Sequence, residues 1–223
     1  MQESVQKEIV LKDVPLGAFK LLLSYVYTGQ LKLEGLEEEI ILETLELAHR
    51  YGFEDLQTAI CLHCEEILSA QNVCTVFDRA QLLQLGKLTD ACYRFLKESA
   101  YDVLSGDDFC NLSTAALSEI LSQDTFYADE IDIFKAVQRW CSKRPQGEDR
   151  SKVLDAIRLP LITTIDLVTT VRDSHLISED SVMKAILMRK CNASDLKPRG
   201  HLVCDTNLAD PDEGASELFV DAE

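Results

Sequence analysis

The sequence lacks most of the features that mark a nucleic-acid-binding, membrane-bound or catalytic chain. Its 223 residues hold 22 Lys and Arg against 39 Asp and Glu, a net charge of -17. That shortage of positive charge speaks against a nucleic-acid partner, because phosphate neutralisation needs clustered Lys and Arg. It speaks equally against an anionic membrane surface. No apolar run approaches the roughly 20 residues that span a bilayer. Met1-Gln2-Glu3-Ser4 lacks the basic-then-apolar order of a secretory signal. The chain therefore reads as intracellular, cytoplasmic or nuclear, with no membrane partner. In that setting its eight cysteines are expected to be reduced thiols packed as small apolar groups.

Catalytic signatures are also missing. There is no Gly-x-Ser-x-Gly, no His-Glu-x-x-His and no glycine-rich phosphate loop. The four histidines, His49, His63, His175 and His201, are dispersed. Cys61-Leu62-His63-Cys64 is the lone C-x-x-C. It has no second pair at zinc-finger spacing, so at most half of a structural zinc site is present. A thiol redox role for Cys61 and Cys64 would need an electropositive helix start; here Glu65 and Glu66 follow and would raise a thiol pKa. The acids at 34–46 read as a solvated helix face. No catalytic residue, metal site or cofactor is expected, and the chain reads as a non-enzyme.

What is present is helical periodicity. Glu8-Ile9-Val10-Leu11 is the one strand-like stretch, too short to be stable alone. Asp13 can cap a helix starting near Pro15, and Phe19, Leu22, Leu23, Val26 and Tyr27 follow the spacing of one buried face until Gly29 stops it. Further helices are expected at about 37–51, with Ile41, Leu45 and Ala48 inward, and at 54–69, with Leu56, Ala59, Ile60 and Ile67 inward. Asn72 is placed to cap the next helix, followed by helices at 87–98, 101–105 and 113–123, the last capped by Ser113. The strongest amphipathic segment is 129–142, where Ile133, Phe134, Val137, Trp140 and Cys141 form one stripe. Helices at 151–157, 164–171 and 179–189 follow, with Pro160 interrupting between the first two. Residues 205–223 carry seven acids and no Lys or Arg, a composition expected of a disordered tail. The fold class is all-α: an array of antiparallel helix pairs with one short residual β-strand.

Particular segments resemble a known family. Asp13-Val14-Pro15 to Phe19, then Leu22-Leu23-Ser24-Tyr25-Val26-Tyr27-Thr28-Gly29, resembles the second half of a BTB/POZ domain. Leu47 to Leu56 looks like its next helix pair. Asn72-Val73-Cys74 resembles the start of the 3-box and BACK region, Ile133 to Trp140 the BACK helix with its terminal Trp, and Arg158-Leu159-Pro160-Leu161 is similar to the family's Val-Arg-Leu-Pro-Leu signature. The resemblance covers about residues 1–200. It divides the chain into the C-terminal part of a BTB domain at 1–70, 3-box and BACK at 71–190, and an acidic tail at 191–223.

The resemblance implies a non-catalytic interaction module, a substrate adaptor (or part of one) for a cullin-3 RING ubiquitin ligase. On the family pattern Met1 would fill a cullin pocket and Glu3 would accept a hydrogen bond, and Asn72, Val73, Leu82 and Leu85 would contribute from the 3-box helix pair. Other BTB proteins are further implied partners. The matched pattern does not extend to the first strand and helix of the family's homodimer interface, which leaves homodimerisation doubtful. The rival expectation is a BTB–BACK scaffold or regulatory binding protein that recruits no ligase.

Overall fold

Apolar residues spaced three and four apart, separated by short polar loops, make antiparallel helices the cheapest way to bury this sequence. A computed structural model describes residues 11–144, 150–191 and 198–199. Among the described residues the protein is all-α, with no strand. The expected strand at 8–11 lies outside them except for Leu11, which is not in a strand. Of the expected acidic tail at 191–223, only Cys191, which ends the last helix, and Pro198 and Arg199 are described, and Arg199 is buried; 205–223 lie outside the described residues.

Three helices come first: α1 (Leu16–Thr28), α2 (Glu38–Tyr51) and α3 (Glu54–Glu66). Each packs against the next. Gly29 and Gly52 end α1 and α2 with φ of 65° and 73°, the left-handed conformation that glycine adopts without a Cβ penalty. Gly29 N–H closes α1 by donating to the Tyr25 carbonyl at 2.8 Å. α2 buries Ile41, Leu42, Leu45, Leu47 and Ala48, a wide stripe that serves both neighbours.

Several local expectations need correction here. The buried face of α1 is Ala18 and Leu22 with Phe19 half-buried, whereas Leu23, Val26 and Tyr27 are exposed, Tyr27 by 85%. α1 is apolar nearly all round, and periodicity alone does not say which face wins. Asp13 does not cap α1: Pro15 holds the N-cap position, and Asp13 sits at φ 56° with its carbonyl accepting from Arg50 at 3.5 Å. Ala59 on α3 is exposed, and Ile67 lies just past the helix end.

The remaining elements are α4 (Val73–Leu82), α5 (Gly86–Glu98), α6 (Ala100–Ser105), a 3-10 turn at Asp108–Asn111, α7 (Thr114–Ser122), α8 (Glu130–Ser142) and α9 (Ser151–Asp155). A 3-10 turn at Leu159–Leu161, α10 (Thr164–Asp166) and α11 (Glu179–Cys191) complete them. The single helix expected at 164–171 is instead α10 running into a π-helical turn at Leu167–Val171, which turns Leu167 and Val171 inward. α8 forms the centre of this part. Its Ile133, Phe134, Val137 and Trp140 are fully buried, and Trp140 Nε1 donates to the Leu112 carbonyl at 2.9 Å. The Arg144 guanidinium covers the Trp140 ring at 4.5 Å. One continuous apolar core runs from Ala18 to Ala185.

Candidate protein-interaction surface

α4 and α5 form a tight helical hairpin. Val73, Val76, Phe77 and Ala80 of α4 and Leu88, Cys92 and Leu96 of α5 are buried in the common core, with the Phe77 and Tyr93 rings edge to face at 4.9 Å. The turn is closed by Gln84 at φ 55° and by Leu85 N–H donating to the Ala80 carbonyl at 2.8 Å. α5 also packs against α3, so the hairpin continues the first three helices without a break. Two polar ties fix that seam. The Arg79 guanidinium on α4 pairs with Glu46 on α2. Asn72 Nδ2 donates to Glu38 Oε1 at 2.8 Å and to the Ile67 carbonyl at 3.0 Å, while Asn72 Oδ1 accepts from Ser69 N–H at 2.8 Å.

Those bonds correct the expected capping role of Asn72. It occupies the N-cap position of α4, but its side chain closes the preceding turn and reaches α2. The free N–H groups of α4 are met by Asp108, 34 residues further on: Oδ2 accepts from Cys74 N–H at 2.8 Å and Thr75 N–H at 3.2 Å. Asp78 on α4 in turn accepts from Ser113 N–H and hydroxyl, and Ser113 Oγ accepts from Ala116 N–H at 3.2 Å to cap α7 as expected.

Of the six residues that the family pattern singles out, Met1 and Glu3 lie outside the described residues. Asn72, Val73 and Leu85 are buried, so their side chains hold the hairpin and the seam together. Leu82 is 70% exposed and presents a large apolar side chain at the hairpin tip. Beside the tip, Gln81, Gln84, Gly86, Thr89, Asp90 and Glu119 line an open depression of about 350 Å³. Its lining side chains are polar and it lies open to solvent, unlike the mostly apolar enclosure of a small-molecule site. An exposed apolar tip beside a polar rim is the physical make-up of a protein contact.

Chemistry elsewhere on the surface is sparse. Cys64 is buried and its thiol is pushed up to about 12, first by burial and then by Cys61, Glu38 and Glu65. Burial, then Glu65, pushes the half-buried Cys61 up to about 11. Both shifts run against the lowered thiol pKa that the redox reading requires. Among the described residues no group of His, Cys, Asp and Glu is placed to hold a metal ion. No helix among them is long and apolar enough to cross a membrane.

Comparison with known proteins bears on this arrangement. A BTB/POZ domain model matches residues 1–68, and a BACK model (BTB And C-terminal Kelch) matches residues 73–172. The chain belongs to the BTB–BACK proteins. It is 41% identical over 217 residues to BTB/POZ domain-containing protein 9 of Homo sapiens, covering 96% of this chain and 35% of that protein. The protein of the same name in Drosophila melanogaster is 39% identical over 209 residues, covering 94% of this chain and 28% of the other. BTB/POZ domain-containing protein 3 of Homo sapiens is 29% identical over 170 residues. The chain thus spans about a third of the length of the curated relatives it matches.

In family terms the seam tied by Asn72–Glu38 and Arg79–Glu46 is the BTB–BACK junction. BTB and BACK domains commonly mediate protein–protein contacts, and this chain is an interaction module of that kind. Sequence reasoning did not single out Asp108 or Asp78, because a cap supplied from 33 to 35 residues away leaves no local signal. It also missed the exposed apolar side chains Ile165 and Val168, with Met183, Leu187 and Met188 on α11. The available signal was that apolar residues of α11 do not fall on one stripe.

Proposed function

We propose that this chain is the non-catalytic BTB–BACK module of a substrate adaptor for a cullin-3 RING ubiquitin ligase. The observation that supports this best is the unbroken stack of BTB helices α1–α3 and the α4–α5 hairpin, with Leu82 exposed at its tip. Such a stack presents an apolar anchor of the kind a partner helix or groove takes up. The module would contribute proximity, holding a bound substrate near the transferred ubiquitin. On this reading it works in the cytoplasm or nucleus, with cullin-3 and other BTB proteins as partners.

The test is a titration of the chain with the N-terminal domain of cullin-3. Leu82→Asp is the informative variant, since it changes an exposed side chain and leaves the core intact. Saturable binding that Leu82→Asp weakens at least about tenfold, the loss of one hot-spot residue, supports the reading. Absence of binding by the folded chain sinks it.

One observation favours a second reading, a BTB–BACK scaffold or regulatory binding protein that recruits no ligase. Three of the four described candidate contacts, Asn72, Val73 and Leu85, are buried. Recovery of BTB relatives without any cullin after cross-linking in cells is the outcome expected of it.

A further inference from the structure

A carboxylate on the first turn of a helix is usually a surface group, solvated and favoured by the helix dipole. Glu130 opens α8 and yet its side chain is only 3% exposed. Its Oε2 accepts from the Arg158 N–H at 3.0 Å. Its Oε1 accepts from Arg199 Nε at 2.5 Å, and the Arg199 side chain is 1% exposed. The two are 69 residues apart in sequence. Burying either charge alone is strongly unfavourable, so each accounts for the other's burial.

The rest of the guanidinium is also occupied. Arg199 Nη1 donates to the Leu121 carbonyl and to the Gln123 carbonyl at 3.1 Å, both at the C-terminal end of α7. Nη2 donates to the Ala156 carbonyl, just past α9, at 2.7 Å. The negative ends of two helices and one full carboxylate therefore converge on a single planar cation. Every acceptor comes from residues 121–156, so the socket is built by the BACK helices, and Arg199 is what occupies it. A lysine could offer only a point charge, without the planar fork that meets three carbonyls and a carboxylate together.

We infer that residues 121–156 form a guanidinium socket and that Arg199 is a latch seated in it. The latch fastens the Pro198–Arg199 segment to the corner between α7, α8 and α9.

The experiment uses the full chain with Arg199→Ala and Arg199→Lys, read by thermal unfolding and amide hydrogen exchange. Arg199→Ala is expected to lower Tm by about 5 °C or more. It should speed exchange at 121–124 and 156–158 while leaving the α4–α5 hairpin unchanged. Arg199→Lys keeps the charge and should show the same local loosening; it carries the readout if Arg199→Ala does not fold. Millimolar ethylguanidinium should restore part of the lost Tm in Arg199→Ala, and ethylammonium at the same concentration should not. Unchanged exchange at the corner in both variants would overturn the latch. So would equal loosening of the corner and of α4–α5, which is the behaviour of an ordinary core residue. Ethylguanidinium doing no better than ethylammonium would overturn the socket.

Discussion

The BTB helices at 16–66 and the helices at 73–191, which include the BACK match at 73–172, are both packed helical arrays, but their helix ends are closed by different means. In the BTB part, α1 and α2 stop at Gly29 and Gly52, each the residue next after its helix. In the second part, side chains from far along the chain do the work. Asp108 meets the N–H groups of α4. Arg139 donates to the Leu104 and Ser105 carbonyls at the end of α6. Arg189 donates to the carbonyls of Pro160, Leu161 and Ile162. Arg199 serves the ends of α7 and α9. Each charged group satisfies several orphan backbone groups at once and ties two elements together. The BACK helices are short, so a larger share of their backbone groups sits at ends, and this cross-bracing offsets that cost.

The comparison can be broken most severely at the BACK centre. Trp140→Ala removes a fully buried ring together with its bond to Leu112 and its contact with Arg144; it is expected to cost about 3–5 kcal/mol in denaturant unfolding. A loss under about 1 kcal/mol would mean that α8 is not the hub. Next, Asp108→Ala leaves the buried N–H of Cys74 and the partly buried N–H of Thr75 without their acceptor. It should cost about 1–3 kcal/mol and speed amide exchange at the start of α4. The same measurement on Asn72→Ala separates the two roles, because that variant should loosen the BTB–BACK seam and leave the first turn of α4 protected.

Alkaline pH acts on both regions through the buried Cys64 and Cys92 and the half-buried Cys61. Burial first, then neighbouring charge, raises Cys61 to about 11 and Cys64 to about 12 from the ordinary 9.0. Cys92 in the BACK part is raised to about 12, again chiefly by burial. The folded state thus keeps protons that the unfolded state releases, so stability is full below about pH 9 and falls as pH rises from there toward 11–12. Urea unfolding at pH 8 and pH 10 should show that decline, and Cys61 should alkylate slowly at pH 8 in the native chain. The smallest effect is expected at the seam: Arg79→Ala breaks a half-exposed pair with Glu46 and should cost about 0.2–1 kcal/mol. A larger loss would show the two regions to be more tightly coupled than one ion pair implies.

The positions of the helices were legible in the sequence because apolar spacing and glycine stops are local signals. α2, α5 and α8 begin and end within a residue or so of their expected bounds. The family was legible as well, in short motifs such as Tyr25 to Gly29 and Arg158 to Leu161. The interaction surface was only partly legible. A motif marks where a chain resembles its relatives but not which of its side chains face outward, and burial placed Asn72, Val73 and Leu85 inside and Leu82 outside.

The sequence by itself therefore determined the helical class, the order of the elements, the glycine-ended turns and the Ser113 cap. Each depends on residues a few positions apart, whose interactions form with little loss of chain entropy. Tertiary structure alone decided which face of α1 is buried. It also decided that Asn72 serves the seam and Asp108 caps α4, and that Glu130 is a buried partner for Arg199. Those choices join groups tens of residues apart. They exist only where the packed core has excluded water and left each polar group no other partner.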